Sequence, residues 1–220
     1  MVSEVPGRIE QGKPVGTWSD KYTTRNAVAG LLVSGFENSV RALLAQVTSN
    51  ERSILEVGCG EGYSTRLLAE TGLPIRAVDW SNQVIEEARS LHSHSSVHFE
   101  VHDMHQLSAQ RDSADLVVAL EVLEHVDDPH WTMGHLVALA RHWLLVSVPR
   151  EPIWRLLNLA RGRYLGRLGN TPGHVNHWST RRFVQFVGLY AEVVLVRTPL
   201  PWTVLLARVP DARRRASTAS

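Results

Sequence analysis

A chain of 220 residues, 44% of them hydrophobic, is long enough to bury one substantial core and short enough to do so as a single domain. Its net charge of +1 excludes a broad electrostatic attraction for nucleic acid, and no apolar run approaches the ~20 residues of a membrane-spanning helix. The single cysteine, Cys59, excludes an internal disulfide and suits a reducing compartment; with no signal peptide at the start, the expected location is cytoplasmic.

Residues 1–16 carry Pro6 and Pro14 with little apolar periodicity and read as a flexible N-terminal arm ahead of one domain over 17–209. Trp18 and Tyr22 precede an amphipathic helix over 24–47, in which Val28, Leu31, Leu32, Phe36, Val40, Leu43, Leu44 and Val47 recur at helical spacing. The aromatic segment reads either as a lid over a ligand or as an anchor tying that helix to the core. Ile54 to Gly62 then reads as a buried strand followed by a glycine turn, with a helix starting at Tyr63. Gly58, Gly60 and Gly62 let the backbone turn sharply and let a ligand approach it, while the helix aims unpaired N–H groups into the same space. A dinucleotide turn wants G-x-G-x-x-G, and Tyr63 stands here where its third glycine would fall. Glu56 would repel a pyrophosphate and welcome an ammonium or sulfonium charge. Cys59 reads as a small residue packed in a crowded turn.

A second strand over 74–78 ends at Asp79-Trp80. Asp79 lies 23 positions after Glu56, near the spacing at which one carboxylate accepts both hydroxyls of a ribose; the alternative reading is a cap for the helix over 81–91. His92, His94, His98, His102 and His105 invite a metal site. However, Val97, Phe99 and Val101 alternate as the buried face of a third strand, which turns His98, Glu100 and His102 to solvent. No ligand set with metal-site spacing accompanies them, so no metal is expected. Asp103 and Met104, where that strand ends, suit an adenine, with the carboxylate accepting from the amine and the thioether packing on the ring.

Ala114 to Leu120 is nearly all apolar, as a parallel strand buried on both faces should be, and it runs into Glu121–Pro129 at the end of the sheet where ligands sit. His125 in that segment is either a general base or a residue that holds the loop in shape. A helix over 129–141 leads to a fifth strand over 143–148. Residues 152–168 place Ile153, Leu156, Leu157, Ala160, Tyr164 and Leu168 on one helical face ringed by Arg155, Arg161, Arg163 and Arg167. That pattern fits a mobile apolar lid able to touch an anionic membrane surface, or an ordinary packed helix. His174 and His177 follow in a loop of turn formers, and Ser179 caps a helix to about Tyr190. Two strands over 192–197 and 203–209 form a hairpin, and 210–220 reads as a disordered tail.

Taken as a set, these residues resemble the class I S-adenosylmethionine-dependent methyltransferases, particularly the type-11 and type-12 groups that include quinone-biosynthesis enzymes. Glu56–Gly62 matches the first motif of that family, Asp79 the acidic end of its second strand, Asp103-Met104 its adenine contact, and Leu123-Glu124-His125 the core of its segment after strand four. The resemblance implies a Rossmann-like α/β fold: a seven-stranded, mostly parallel sheet with an antiparallel last strand and helices on both faces. It makes 150–178 the variable substrate region and S-adenosylmethionine the methyl donor. It assigns cofactor binding to Glu56, Gly58, Cys59, Gly60, Gly62, Asp79, Trp80, Asp103, Met104, Glu121 and Tyr22. Its chemistry is direct displacement of the sulfonium methyl by an oxygen, nitrogen or carbon of a small apolar or aromatic molecule. His177 is placed ahead as base, with His174 and His125 as the other candidates and His125 favoured as the loop holder. Two alternatives stand beside this reading: an NAD-type oxidoreductase, disfavoured by the glycine spacing and Glu56, and a non-catalytic S-adenosylmethionine-binding scaffold. Oligomeric state is not written in the sequence.

Overall fold

The computed structural model describes residues 9–10, 13–14, 27–47, 49–160, 166, 168–171 and 173–210. Within them the apolar runs become the strands β1 (Ile54–Val57), β2 (Ile75–Asp79), β3 (Val97–Val101), β4 (Ala114–Leu120), β5 (Ala140–Pro149), β6 (Glu192–Arg197) and β7 (Trp202–Arg208). They form one sheet in the order β3-β2-β1-β4-β5-β7-β6, with β7 antiparallel to both of its neighbours. The pairings among β1 to β5 are all parallel, and the closing hairpin supplies the single reversed strand that the resemblance implied.

Helices α1 (Ala27–Leu44), α2 (Tyr63–Ala69), α3 (Asn82–Leu91), α4 (Ala109–Asp112), α5 (Pro129–Leu139), α6 (Ile153–Ala160) and α7 (Thr180–Gly188) connect and cover the strands. Alternate residues of β4 explain why both faces must be covered. Val117 and Ala119 pack with Met133 and Leu136 of α5 and Phe183 of α7 on one side. Leu116, Val118 and Leu120 pack with Phe36 and Leu43 of α1, Leu67 of α2 and Ile85 of α3 on the other. All seven residues of β4 are buried, as a central parallel strand requires.

Several expectations shift. On α1, Phe36, Val40 and Leu43 are buried, but Val28 and Leu31 near its start are 65% and 74% exposed, so only the later turns belong to the core. Val101, expected on the buried face of β3, is 40% exposed, because β3 is an edge strand paired only with β2. Helix α5 ends at Leu139 and β5 begins at Ala140, so 140–142, expected in the helix or just after it, belong to the strand. Within the N-terminal arm, Ile9–Glu10 pairs antiparallel with Lys13–Pro14. Trp18 and Tyr22, the rest of that arm, residues 161–165 and the 211–220 tail lie outside the described residues. No described helix is long and apolar enough to cross a membrane.

Candidate active site

The site is built where β1, β2, β3 and β4 end. After Val57 the chain turns through Gly58, Gly60 and Gly62, all at positive φ (76°, 53° and 81°). The N–H groups of Gly58 and Cys59 both donate to Val78 O, at 2.8 and 3.1 Å, which ties the turn to β2. The next N–H, that of Gly60, donates to Asp79 Oδ2 at 3.0 Å, and Ser81 N donates to Asp79 Oδ1 at 3.0 Å. Asp79 therefore anchors the glycine turn and the entry into α3 together.

The three glycines are not equivalent. A Cβ on Gly58 would lie 2.6 Å from Val122 Cγ2, and one on Gly62 would lie 2.8 Å from His92 Cδ2. Both are glycines because the protein itself comes close. Among the described residues a Cβ on Gly60 would meet nothing within 4 Å, so it is the position whose bare backbone faces open space, a cradle that a Cβ would fill. The sequence treated all three as places of ligand approach; the packing leaves room for a Cβ at Gly60 alone of the three.

Glu56 is buried, and its carboxylate accepts from the hydroxyls of Ser64 and Thr65, the latter at 2.5 Å. Burial pushes its pKa up to about 7, against the two hydroxyls, and the nearby Asp79 charge adds to the rise. Burial likewise raises the Cys59 thiol well above its usual range, with Glu56 and Asp79 adding to the shift; that opposes thiolate formation and fits a packing role.

Asp103, at the end of β3, accepts from His105 N at 2.9 Å, with His105 Nδ1 2.8 Å from the same oxygen. The carbonyl of Met104 accepts from His135 Nε2 at 2.9 Å, so α5 clasps this segment from behind. Trp80 is half-buried beside Asp79 in sequence. Glu121 follows β4 at φ 60°, buried, with its N–H donating to Ser147 Oγ at 3.2 Å. A left-handed non-glycine costs about 1–2 kcal/mol, a strain that persists only where the surroundings enforce it.

Residues 173–178 fold onto the segment after β4. Val175 N and Asn176 N donate to Glu124 O at 2.9 and 3.1 Å, and Asn176 Nδ2 donates to the carbonyls of Leu123 (3.0 Å) and Val126 (2.7 Å). His125 Nδ1 lies 3.0 Å from Gly173 O. A carbonyl only accepts, so Nδ1 carries the proton and a neutral imidazole there keeps its lone pair on Nε2. The His174 ring is buried and meets His125 edge-on at 4.9 Å. Glu124, His125 and His174 bring their ligand-type atoms within 4.8 Å of one another, a donor set able to hold a proton or a divalent cation. Sequence spacing could not reveal it, since the histidines come from separate loops. His177 is exposed and its Nε2 turns to Asn170 Oδ1 at 2.9 Å. Its neighbour Trp178 packs against Phe183 and Phe186. Asn176 was missed in the sequence; the loop of turn formers around it was its only signal.

Residues 35–187 match a family described as a methyltransferase domain. The chain belongs to the methyltransferase domain family. This methyltransferase domain is 30% identical over 130 residues to the ubiquinone biosynthesis O-methyltransferase of Xanthomonas campestris pv. campestris, an alignment covering 56% of this chain and 54% of that protein. The chain spans about half the length of the curated relatives it matches (42% and 54%). Its fold matches magnesium protoporphyrin IX methyltransferase from Synechocystis PCC 6803 with bound SAH (S-adenosylhomocysteine), at TM-score 0.66 and 21% identity over 88% of this chain and 92% of that one. The [4+2]-cyclase SpnF also matches, at TM-score 0.57 and 15% identity over 79% and 81% of the two chains. Family membership makes S-adenosylmethionine the cofactor, and the residues fit it: an open glycine cradle at Gly60, with Asp79 behind it and Asp103-Met104 at the end of the neighbouring strand.

Proposed function

We propose that this methyltransferase domain transfers a methyl group from S-adenosylmethionine to a small, apolar or aromatic molecule. The observation that carries this reading is the contact of Gly60 N with Asp79 Oδ2, with Glu56 buried just behind. Two acids at the turn oppose a pyrophosphate and suit a ligand with ribose hydroxyls and positive charge. The cofactor, when bound, supplies a methyl activated by a sulfonium sulfur. The chain's own residues do the rest. Gly60 admits the ligand, Asp79 receives the ribose, and Asp103 with Met104 receives the adenine. Glu56 holds the start of α2 through Ser64 and Thr65 and lends its charge. Rate comes from aligning the accepting atom and excluding water, for which the described residues of 150–160 and 173–178 are the cover.

Where the acceptor must lose a proton, His125 takes it through Nε2 while Nδ1 stays bonded to Gly173 O. His177, bonded to Asn170 on the exposed side of its loop, is the second candidate. The exposed Leu156 and Leu168, 59% and 71% accessible beside Arg155, support peripheral contact with an anionic membrane as part of the same reading. The structural match to a cyclase favours keeping one other reading, different chemistry on the same fold. Thermal protection by S-adenosylhomocysteine but not NADH, followed by homocysteine release over a panel of phenols and amines, tests the proposal. Protection without turnover on any acceptor would point to the scaffold reading.

A further inference from the structure

A stack of three rings that starts on α5 ends against Asp103. Asp103 Oδ1 accepts from His105 N at 2.9 Å, and His105 Nδ1 lies 2.8 Å from the same oxygen, so the backbone and the ring of one residue grip one corner of the carboxylate. The His105 ring lies on Trp131, with centroids 4.5 Å apart and planes 12° from parallel, and Trp131 lies on His135 at 4.7 Å and 16°. Trp131 and His135 are four residues apart, so α5 presents both on one face. His135 ties the other end of the stack to the same segment: its Nε2–H donates to Met104 O at 2.9 Å. Met104 in turn packs on the core that holds Met133 and Leu136 of α5. The footing is firm. Thr132, Met133, Leu136, Val137 and Leu139 are buried, and Asp128 caps the helix by accepting from Trp131 N at 2.9 Å. The far end of the stack stands in solvent, with the Asp103 and His105 side chains 50% and 65% exposed and Trp131 40% exposed. A surface pair of this kind contributes little to the fold, and an exposed carboxylate left to itself samples several rotamers. What the stack does is hold one acid in one pose.

We infer that Trp131 and His135 are positioning residues for the cofactor: through His105 they keep the Asp103 carboxylate in the pose that accepts from the adenine amine. The inference rests on the reading of Asp103 as the adenine contact and adds residues that act through it. Ordering an exposed side chain at the moment of binding costs affinity ~3- to 10-fold, and the stack orders this one beforehand. Parallel rings at these separations attract one another, so the order comes from packing as well as from the hydrogen bonds.

The test titrates two ligands calorimetrically into the full chain: S-adenosylhomocysteine, and S-inosylhomocysteine, in which a 6-oxo group replaces the adenine amine. The adenine ligand is expected to bind ~10- to 100-fold tighter, the range of a hydrogen bond to a charged acceptor. Asp103→Ala should erase that ratio. Trp131→Ala and His105→Ala should each lower it ~3- to 10-fold by weakening the adenine ligand while the inosine ligand keeps its affinity, and His135→Ala should act in the same direction. Trp131→Phe keeps an aromatic plate and should restore most of the ratio. The melting temperature should change little in Trp131→Ala, whose side chain is a surface one. A merely structural role would weaken both ligands alike. That result, or a ratio that Asp103→Ala erases and Trp131→Ala and His105→Ala leave intact, would overturn the inference. A ratio that survives Asp103→Ala, or equal binding of the two ligands by the unmodified chain, would overturn the adenine contact at Asp103 and the inference with it.

Discussion

Gly60 and Asp79 hold each other: the glycine N–H donates to Asp79 Oδ2 across 3.0 Å, so the open face of the turn and the acid at the end of β2 form one device. Asp79→Ala removes that bond and the one to Ser81 N. It should cost about 1–3 kcal/mol of stability and weaken S-adenosylhomocysteine binding ~10- to 100-fold. Asp79→Asn keeps one acceptor oxygen and should recover much of the stability but little of the affinity. Thermal unfolding and calorimetric titration of both variants separate the two effects.

Gly58→Ala and Gly60→Ala should fail differently. At Gly58 the new methyl meets Val122 Cγ2 at 2.6 Å in a left-handed backbone, so a loss of about 2–5 kcal/mol is expected, part of it recovered by adding Val122→Ala. At Gly60 the methyl enters open space, so stability should fall by only ~1 kcal/mol while cofactor affinity drops sharply. Urea unfolding combined with ligand titration reads both quantities.

Glu56 predicts a pH dependence. Its folded pKa of about 7 lies above the usual 4.5, so between those values the folded state binds more protons than the unfolded one. This contribution to stability is fully present below pH 4.5 and is lost as pH rises through about 7, by up to ~3 kcal/mol. Cofactor affinity should move the opposite way, rising as the carboxylate ionises toward a positively charged ligand. Glu56→Gln should flatten both curves, measured by urea unfolding and titration at about pH 5 and about pH 8.

How far the sequence reached depended on whether a property was local. β4 was legible to the residue because a strand buried on both faces is apolar at every position. The exposure of Val101 was not, because alternation says which residues share a face and nothing about whether a helix covers it. Asp79 was read as ribose ligand or cap of the following helix; Ser81 is the cap, and Asp79 ties the glycine turn to the residue that caps. The meeting of Glu124, His125 and His174 depends on loops folding onto strand ends. No spacing along the chain encodes such contacts.

Asn176 is the clasp between the two loops. Asn176→Ala strands the carbonyls of Leu123 and Val126 and should cost about 1–3 kcal/mol. Turnover should fall more than cofactor affinity, because the displaced segment carries His125 and Glu124 rather than the glycine turn. A melting curve with a steady-state assay checks both.

The assignment of the base separates in two variants. His125→Asn can still donate to Gly173 O but lacks the second nitrogen, so stability should stay near normal while turnover falls ~10²- to 10⁴-fold. His177→Ala should retain most of the turnover. The reverse pattern would move the base to His177.

The proposed site for S-adenosylmethionine is the cradle at Gly60 and Asp79. Calorimetric titration of the purified chain with S-adenosylhomocysteine, with NADH as the competitor, tests it most directly. Saturable binding of S-adenosylhomocysteine at one site per chain, abolished by Gly60→Val, is expected, with no heat from NADH. Binding of NADH in preference to S-adenosylhomocysteine, or an affinity for the latter that survives Gly60→Val unchanged, would contradict it.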